Sequence, residues 1–289
     1  MKMALLASSS TSTTFLKPQI EPSRSPILTF SCPNLRYRTE NPSLSINCRQ
    51  IGVKSAVTSR EICTNEIIHL DRSVLNIQEA VAEDELWAAA CLRVRTFFSS
   101  QQQPYNVQDH MRYLAEREFE ALKERVAGKR VGFKRVSCLN ATIPLSRISD
   151  SSEELCSLCK YSDSGEDRIV IGTLDLNQCL SLPDEITGKR PEGTGPDLSR
   201  AYLSNVCVAK ELHKNGIGST LVAISKKIAQ QWGMTDLYVH VAVDNEAARQ
   251  LYIKSGFVYE NDEPAWQARF LDRPRRILLW TDVSGNTDL

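Results

Sequence analysis

The chain has 289 residues, with 35 Lys+Arg against 35 Asp+Glu and 42% hydrophobic residues. That balance allows one or two globular cores and argues against a strongly basic nucleic-acid binder. No apolar run reaches the roughly 18 to 20 residues a spanning helix needs, so an integral membrane protein is not expected.

The neutral total hides an asymmetry. Residues 1–60 hold 8 Lys+Arg and 2 acidic residues, or 8 − 2 = +6; the remainder carries 27 − 33 = −6. The same segment holds 11 Ser and 6 Thr, with prolines at positions 18, 22, 26, 33 and 42. A hydroxyl-rich, Arg-bearing, nearly acid-free start reads as an organelle transit peptide, with an ordinary disordered tail as the alternative. The uncharged stretch from Met3 to Leu16 lacks the Arg-rich amphipathicity of mitochondrial leaders and is similar to plant plastid ones. Cleavage is expected between residues 50 and 65. The mature chain would then be one mildly acidic domain of about 230 residues.

The elements follow in chain order. Val74 to Val81 suits a strand. Asp84 opens a helix over Glu85 to Phe98, with Leu86, Ala89, Ala90 and Val94 on one stripe. A second helix is predicted over Asp109 to Ala127, stopped by Gly128. Val136 to Ile143 and Arg168 to Leu176 are β-prone. Between them, 147–166 is rich in Ser, Glu and Asp, and 181–199 carries three prolines and three glycines; both read as exposed loop insertions. Ala201 to Val208 is a strand, Ser219 to Trp232 a helix, Asp236 to Val243 a strand and Asn245 to Ser255 a helix stopped by Gly256. Phe257 to Glu260 and Arg276 to Asp282 complete the strands, and 284–289 is a polar tail. The alternation predicts a mixed α/β sheet with helices on its faces.

Nine cysteines, at positions 32, 48, 63, 91, 138, 156, 159, 179 and 207, form no dense disulfide pattern. Cys156 and Cys159 make a C-x-x-C pair without a second pair or nearby His to complete a zinc site, so no metal is expected. The pair falls in the first loop insertion, where a redox role is the minority reading.

The segment His213-Lys214-Asn215-Gly216-Ile217-Gly218-Ser219-Thr220 is a glycine-rich turn entering a helix. Free N–H groups at a helix start form an anion site, and glycines let a ligand approach the backbone. The segment is not a Walker A loop, because no Gly-Lys-Ser/Thr follows the glycines, nor a convincing dinucleotide fingerprint, because position 221 is Leu and the strand-to-glycine loop is too long. Downstream, Asn245-Glu246-Ala247-Ala248 begins a helix on which Asn245, Ala248 and Tyr252 share one face.

Together, His213-x-x-Gly216-x-Gly218 and Asn245-x-x-Ala248-x-x-Leu251-Tyr252-x-x-x-Gly256-Phe257 resemble the GCN5-related N-acetyltransferase (GNAT) superfamily. Residues 201–258 carry most of that resemblance; a looser one extends over 74–283. His213 stands where the family prefers Arg or Gln. The resemblance implies a sheet of six or seven strands flanked by four helices, with acetyl-CoA as co-substrate entering between two splayed strands. Backbone of Val206, Cys207 and Val208 would pair with the pantetheine. Backbone N–H groups of Lys214, Asn215, Gly216, Ile217, Gly218 and Ser219 would hold the pyrophosphate. Asn245, Glu246, Ala247 and Ala248 would line the cofactor, and Tyr252 would protonate the departing thiolate. Glu79, Asp109, His110, His240 and a water relay all stay open as the general base. The chain looks similar to plant plastid GNAT proteins, which implies a chloroplast stromal enzyme acting on protein N-terminal amines and lysines. Small arylalkylamines such as serotonin are the alternative acceptors, and a catalytically weak acetyl-CoA-binding module is the rival class. No nucleic-acid or membrane partner is implied, and the oligomeric state is open.

Overall fold

The computed structural model describes residues 70–98, 107–130, 132–148, 153–179 and 200–284. The expected transit peptide, the 181–199 insertion and the tail from 285 lie outside these residues.

Among the described residues, eight strands form one sheet: β1 (Asn76–Glu79), β2 (Phe133–Pro144), β3 (Lys160–Asp163), β4 (Glu166–Cys179), β5 (Arg200–Val208), β6 (Asp236–Ala242), β7 (Val258–Asp262) and β8 (Arg276–Asp282). Their order is β1-β2-β4-β5-β6-β8-β7, with β3 added on β4. Every pairing is antiparallel except β5 with β6. The helices are α1 (Glu83–Phe98), α2 (Val107–Val126), α3 (Glu153–Leu158), α4 (Ile217–Gln231), α5 (Glu246–Lys254) and α6 (Ala265–Phe270). The predicted mixed α/β fold is the fold observed.

Strand alternation explains the layering. Side chains of Thr173 and Asp175 bond to Arg93 of α1. A Cβ at Gly172 would instead meet Ile217 and Leu221 of α4, each at 3.1 Å. Successive strand residues face opposite sides, so α1 and α4 cover opposite faces of β4. The start of α1 is closed locally: the Glu85 carboxylate accepts from the N–H groups of Val81 (2.8 Å) and Ala82 (3.1 Å), satisfying donors that a helix start leaves free.

The 147–166 insertion is not simply an exposed loop. It folds into α3 and β3, and Leu155, Cys159 and Tyr161 are buried in the main core. Their apolar side chains are scattered among Ser, Glu and Asp, which hides them from a composition reading. The β3–β4 turn is carried by Ser164 (φ 51°) and Gly165 (φ 87°), the two left-handed residues that a tight hairpin requires. Cys159 is therefore a core residue whose thiol burial pushes well above its ordinary range, while Cys156 is half-buried; neither forms a disulfide among the described residues.

Candidate functional site

The sheet opens at its one parallel pair. β5 and β6 are in register at Ala201–Leu237, Tyr202–Tyr238 and Leu203–Val239, and there the pairing ends. Both strands continue: β5 stays paired with β4 as far as Val208, and β6 with β8 as far as Ala242. From Ser204 onward, the β6-facing edge of β5 has lost its ladder. An unladdered strand edge inside a fold offers backbone donors and acceptors to an extended ligand carrying amides. A bulge adds to the divergence. Thr173 pairs with Cys207 but Asp175 with Ser204, so β5 holds an extra residue. Asn205 takes it up with left-handed backbone, φ 54°.

A cleft fills this opening. Ser204, Asn205 and Val206 line it from β5, His240 and Ala242 from β6, Asn245, Ala248 and Tyr252 from the α5 end, and Phe97, Arg273 and Arg276 from further around. Asn245 caps α5 through its side-chain oxygen, which accepts from the Ala248 N–H at 3.0 Å. That cap fixes the first turn, and the helix period brings Tyr252 to the cleft. Tyr252 is 4% exposed, and its ring packs edge-on against Phe257 at 5.4 Å between centroids. Its hydroxyl has no hydrogen-bond partner among the described residues, and burial raises its pKa far above the ordinary tyrosine range.

The glycine turn sits at the head of α4. Lys214 (φ 66°) and Gly216 (φ 81°) are both left-handed, a combination that turns consecutive N–H groups toward one side. The first helical bond runs from the Thr220 N–H to the Gly216 carbonyl at 3.0 Å, so the N–H groups of Ile217, Gly218 and Ser219 are free for an anion. The two glycines differ in role. Gly216 needs its positive φ, whereas Gly218 lets Leu251 of α5 approach to 3.3 Å of where a Cβ would stand. His213 does not face an anion through its Nε2, which lies 3.0 Å from the Val208 carbonyl.

The predicted residues therefore divide. Val206, Asn245, Ala248 and Tyr252 line the cleft, and Lys214, Asn215, Gly216, Ile217, Gly218 and Ser219 form the turn and start of α4. Cys207 points into the core with a thiol that burial pushes to about 12, so it is not a ready nucleophile. Val208 is half-buried against the main core. Glu246 and Ala247 are exposed and outside the cleft lining; Glu246 pairs with Arg249 at 3.0 Å. Of the open general-base candidates, His240 lines the cleft and Glu79, Asp109 and His110 are exposed elsewhere.

Tyr202, Arg72 and Asn205 carry no motif and were missed in the sequence, whereas His240 was one of several open candidates. The Tyr202 hydroxyl lies 3.0 Å from His240 Nδ1, while His240 Nε2 has no partner among the described residues. Burial, with Arg276 and Arg273 nearby, pushes the imidazole down to about 3. Arg72 places its guanidinium directly over Gly216: its Nη2 is 2.5 Å from the position of an added Cβ. Leu70 ties that segment to the turn by donating to the Asn215 side-chain oxygen at 3.0 Å. Asn205 joins the cleft to a buried charge cluster.

A splayed parallel pair, an anion-ready turn on the next helix and a buried tyrosine in the gap are the arrangement expected of an acyl-CoA transfer site. The signature of the Acetyltransferase (GNAT) family matches residues 141–257. The chain is 60% identical over 259 residues to GCN5-related N-acetyltransferase 7, chloroplastic, of Arabidopsis thaliana, covering 90% of this chain and 93% of that one. It is 29% identical over 191 residues to GCN5-related N-acetyltransferase 6, chloroplastic, of the same plant, covering 62% and 60%. Among solved structures, Arabidopsis thaliana NAA60 in complex with acetyl-CoA superposes with a TM-score of 0.46 at 16% identity, over 73% of this chain and 99% of that one. The chain belongs to the GNAT family. It is an N-acetyltransferase of the plastid type that uses acetyl-CoA. Among the described residues, no helix is long and apolar enough to cross a membrane.

Proposed function

We propose that the protein acetylates protein N-terminal α-amines, and lysine ε-amines more slowly, in the plastid stroma by direct transfer from acetyl-CoA. The observation that supports this most is the end of β5–β6 pairing at Leu203–Val239, with Tyr252 buried in the opening. The β5 edge would hold the pantetheine amides, and the 214–219 backbone, with Arg72 over it, the pyrophosphate. Bound there, acetyl-CoA supplies an activated acyl carbonyl and a sulfur leaving group.

The protein's part is orientation and proton handling. The β5 backbone polarises the carbonyl as negative charge develops on it. The amine nitrogen forms the new C–N bond while the C–S bond breaks. Tyr252, kept protonated by burial, gives its proton to the sulfur. The amine's proton leaves through the Tyr202–His240 pair. For that relay the Tyr202 hydroxyl donates to a lone pair on His240 Nδ1, 3.0 Å away, and takes up the amine's proton on its oxygen. A weakly basic pair suffices, because nitrogen becomes strongly acidic once it has attacked.

The acceptor class follows from charge. Arg273 and Arg276 line the cleft and no Asp or Glu among the described residues does, which disfavours an ammonium there relative to a neutral amine. An α-amine, with pKa about 8, arrives neutral far more often than a lysine at about 10.4. The test is incubation of the chain from Ser59 onward with acetyl-CoA and mixed peptides bearing free N-termini and internal lysines, read by mass spectrometry. Acetyl groups mainly on α-amines support the proposal. Products only on serotonin-type amines, or binding without turnover, overturn it.

A further inference from the structure

Beneath the cleft lie four charged side chains that the proton steps do not use. Arg93 of α1, Glu118 and Arg125 of α2, and Asp175 of β4 are each at most 4% exposed. Arg93 grips Asp175 at 2.6 and 3.2 Å and Glu118 at 3.0 Å. Arg125 reaches Glu118 at 2.8 Å and Asp175 at 3.4 Å. Burying two cations and two anions is weak evidence for stability, since apolar residues of like volume often serve as well. What such a cluster does provide is a fixed direction for each hydrogen bond.

One of those bonds leaves the cluster. Asp175 Oδ2, already held by both arginines, accepts from the Asn205 side-chain amide at 2.8 Å. Asn205 is the bulge residue, left-handed at φ 54°, and it lines the cleft immediately before Val206. Left-handed backbone is unfavourable for a non-glycine residue, and Asn is among the few side chains that offset this with a hydrogen bond. Asn177 braces the same turn of β5, donating to the Tyr202 carbonyl at 2.9 Å and to Ser204 Oγ at 3.0 Å.

We propose that the Arg93–Glu118–Arg125–Asp175 cluster, acting through Asn205, is a positioning device that fixes the β5 bulge and thereby aims the Val206–Val208 backbone at the reacting carbonyl. The inference rests on the placement of acetyl-CoA proposed above. Asn205 is a positioning residue: it acts through the backbone and not on the acceptor. The same cluster ties α1 and α2 to the bulge.

The test is Asn205→Gly, which keeps the left-handed backbone available and removes only the side-chain bond to Asp175. Turnover on an N-terminal peptide is expected to fall at least tenfold, with acetyl-CoA affinity by calorimetry within threefold of the parent. Acetyl-CoA labelled with ¹³C at the thioester carbonyl gives the second readout by difference infrared spectroscopy. The stretch should be lowered in the parent complex and return toward the free value in the variant, which a merely structural role would not produce. Should Asn205→Gly fail to fold, isosteric Asn205→Asp is read in the same way, because it sets a carboxylate against Asp175. Parent-like turnover and an unchanged carbonyl stretch in the folded variant overturn the proposal. A parent complex with no lowered stretch overturns instead the placement of the cofactor on which it rests.

Discussion

Replacing Tyr252 with Phe removes one hydroxyl and little else. The ring keeps its edge-on contact with Phe257 at 5.4 Å, and the hydroxyl has no described partner to leave stranded. The folded state therefore loses no hydrogen bond, and stability should change by less than about 0.5 kcal/mol. Affinity for acetyl-CoA should hold within about twofold, or roughly 0.4 kcal/mol. The chemical step loses its proton donor, so kcat is expected to fall by about 10² to 10⁴, or about 2.7 to 5.5 kcal/mol of barrier. The assay pairs calorimetric titration of acetyl-CoA with release of free CoA thiol during turnover on an N-terminal peptide. A kcat within about threefold of the parent would refute Tyr252 as the acid. A collapse of affinity together with activity would make the residue structural instead.

The pH profile follows from the same groups. His240 is pushed down to about 3 and Tyr252 is raised, so neither changes charge between about pH 5 and 9. The rate at low acceptor concentration should rise with pH as the acceptor itself loses its proton, half-maximal near about 8 for an α-amine and near about 10 for a lysine. An acidic limb near 6 to 7 shared by both acceptors would instead show an enzyme base. Gly216→Ala forces an ordinary side chain into the left-handed region and toward Arg72; acetyl-CoA affinity should drop about tenfold, near 1.4 kcal/mol, by calorimetry. Arg72→Ala should weaken the same binding a few-fold and reduce its salt dependence. Arg93→Met leaves Asp175 and Glu118 with Arg125 alone, so urea unfolding should register a loss of about 3 to 5 kcal/mol.

Much of the fold was legible because its signals are local. Periodic apolar stripes mark α1, α4 and α5, and β5 and β6 are continuous β-prone runs. The glycine turn was legible because an anion site on a helix start needs glycine where the backbone turns left-handed, and Gly216 is left-handed at the head of α4. Gly218 was read in the same way, yet it answers to packing against Leu251, a contact between helices with no local trace. The 147–166 segment was misread for a related reason. Its burial depends on Leu155, Cys159 and Tyr161 reaching α1 and the sheet, while its composition is that of a surface loop. Ser164-Gly165 was the available hairpin signal. Tyr202 and Asn205 on β5, His240 on β6 and Arg72 before β1 belong to three separate stretches of chain. Only the pairing of strands brings Tyr202 to His240, or Asn205 to Asp175, and no spacing in the sequence encodes either meeting.

The most direct measurement is a crystal structure of the chain from Ser59 onward in complex with acetyl-CoA. The account requires the pantetheine to run between β5 and β6 beyond Leu203–Val239, the pyrophosphate to lie on the 214–219 backbone beneath Arg72, and the thioester sulfur to come within hydrogen-bond reach of the Tyr252 hydroxyl. Acetyl-CoA bound outside that opening, or a sulfur turned away from Tyr252 with the pyrophosphate off the Gly216 turn, would contradict it.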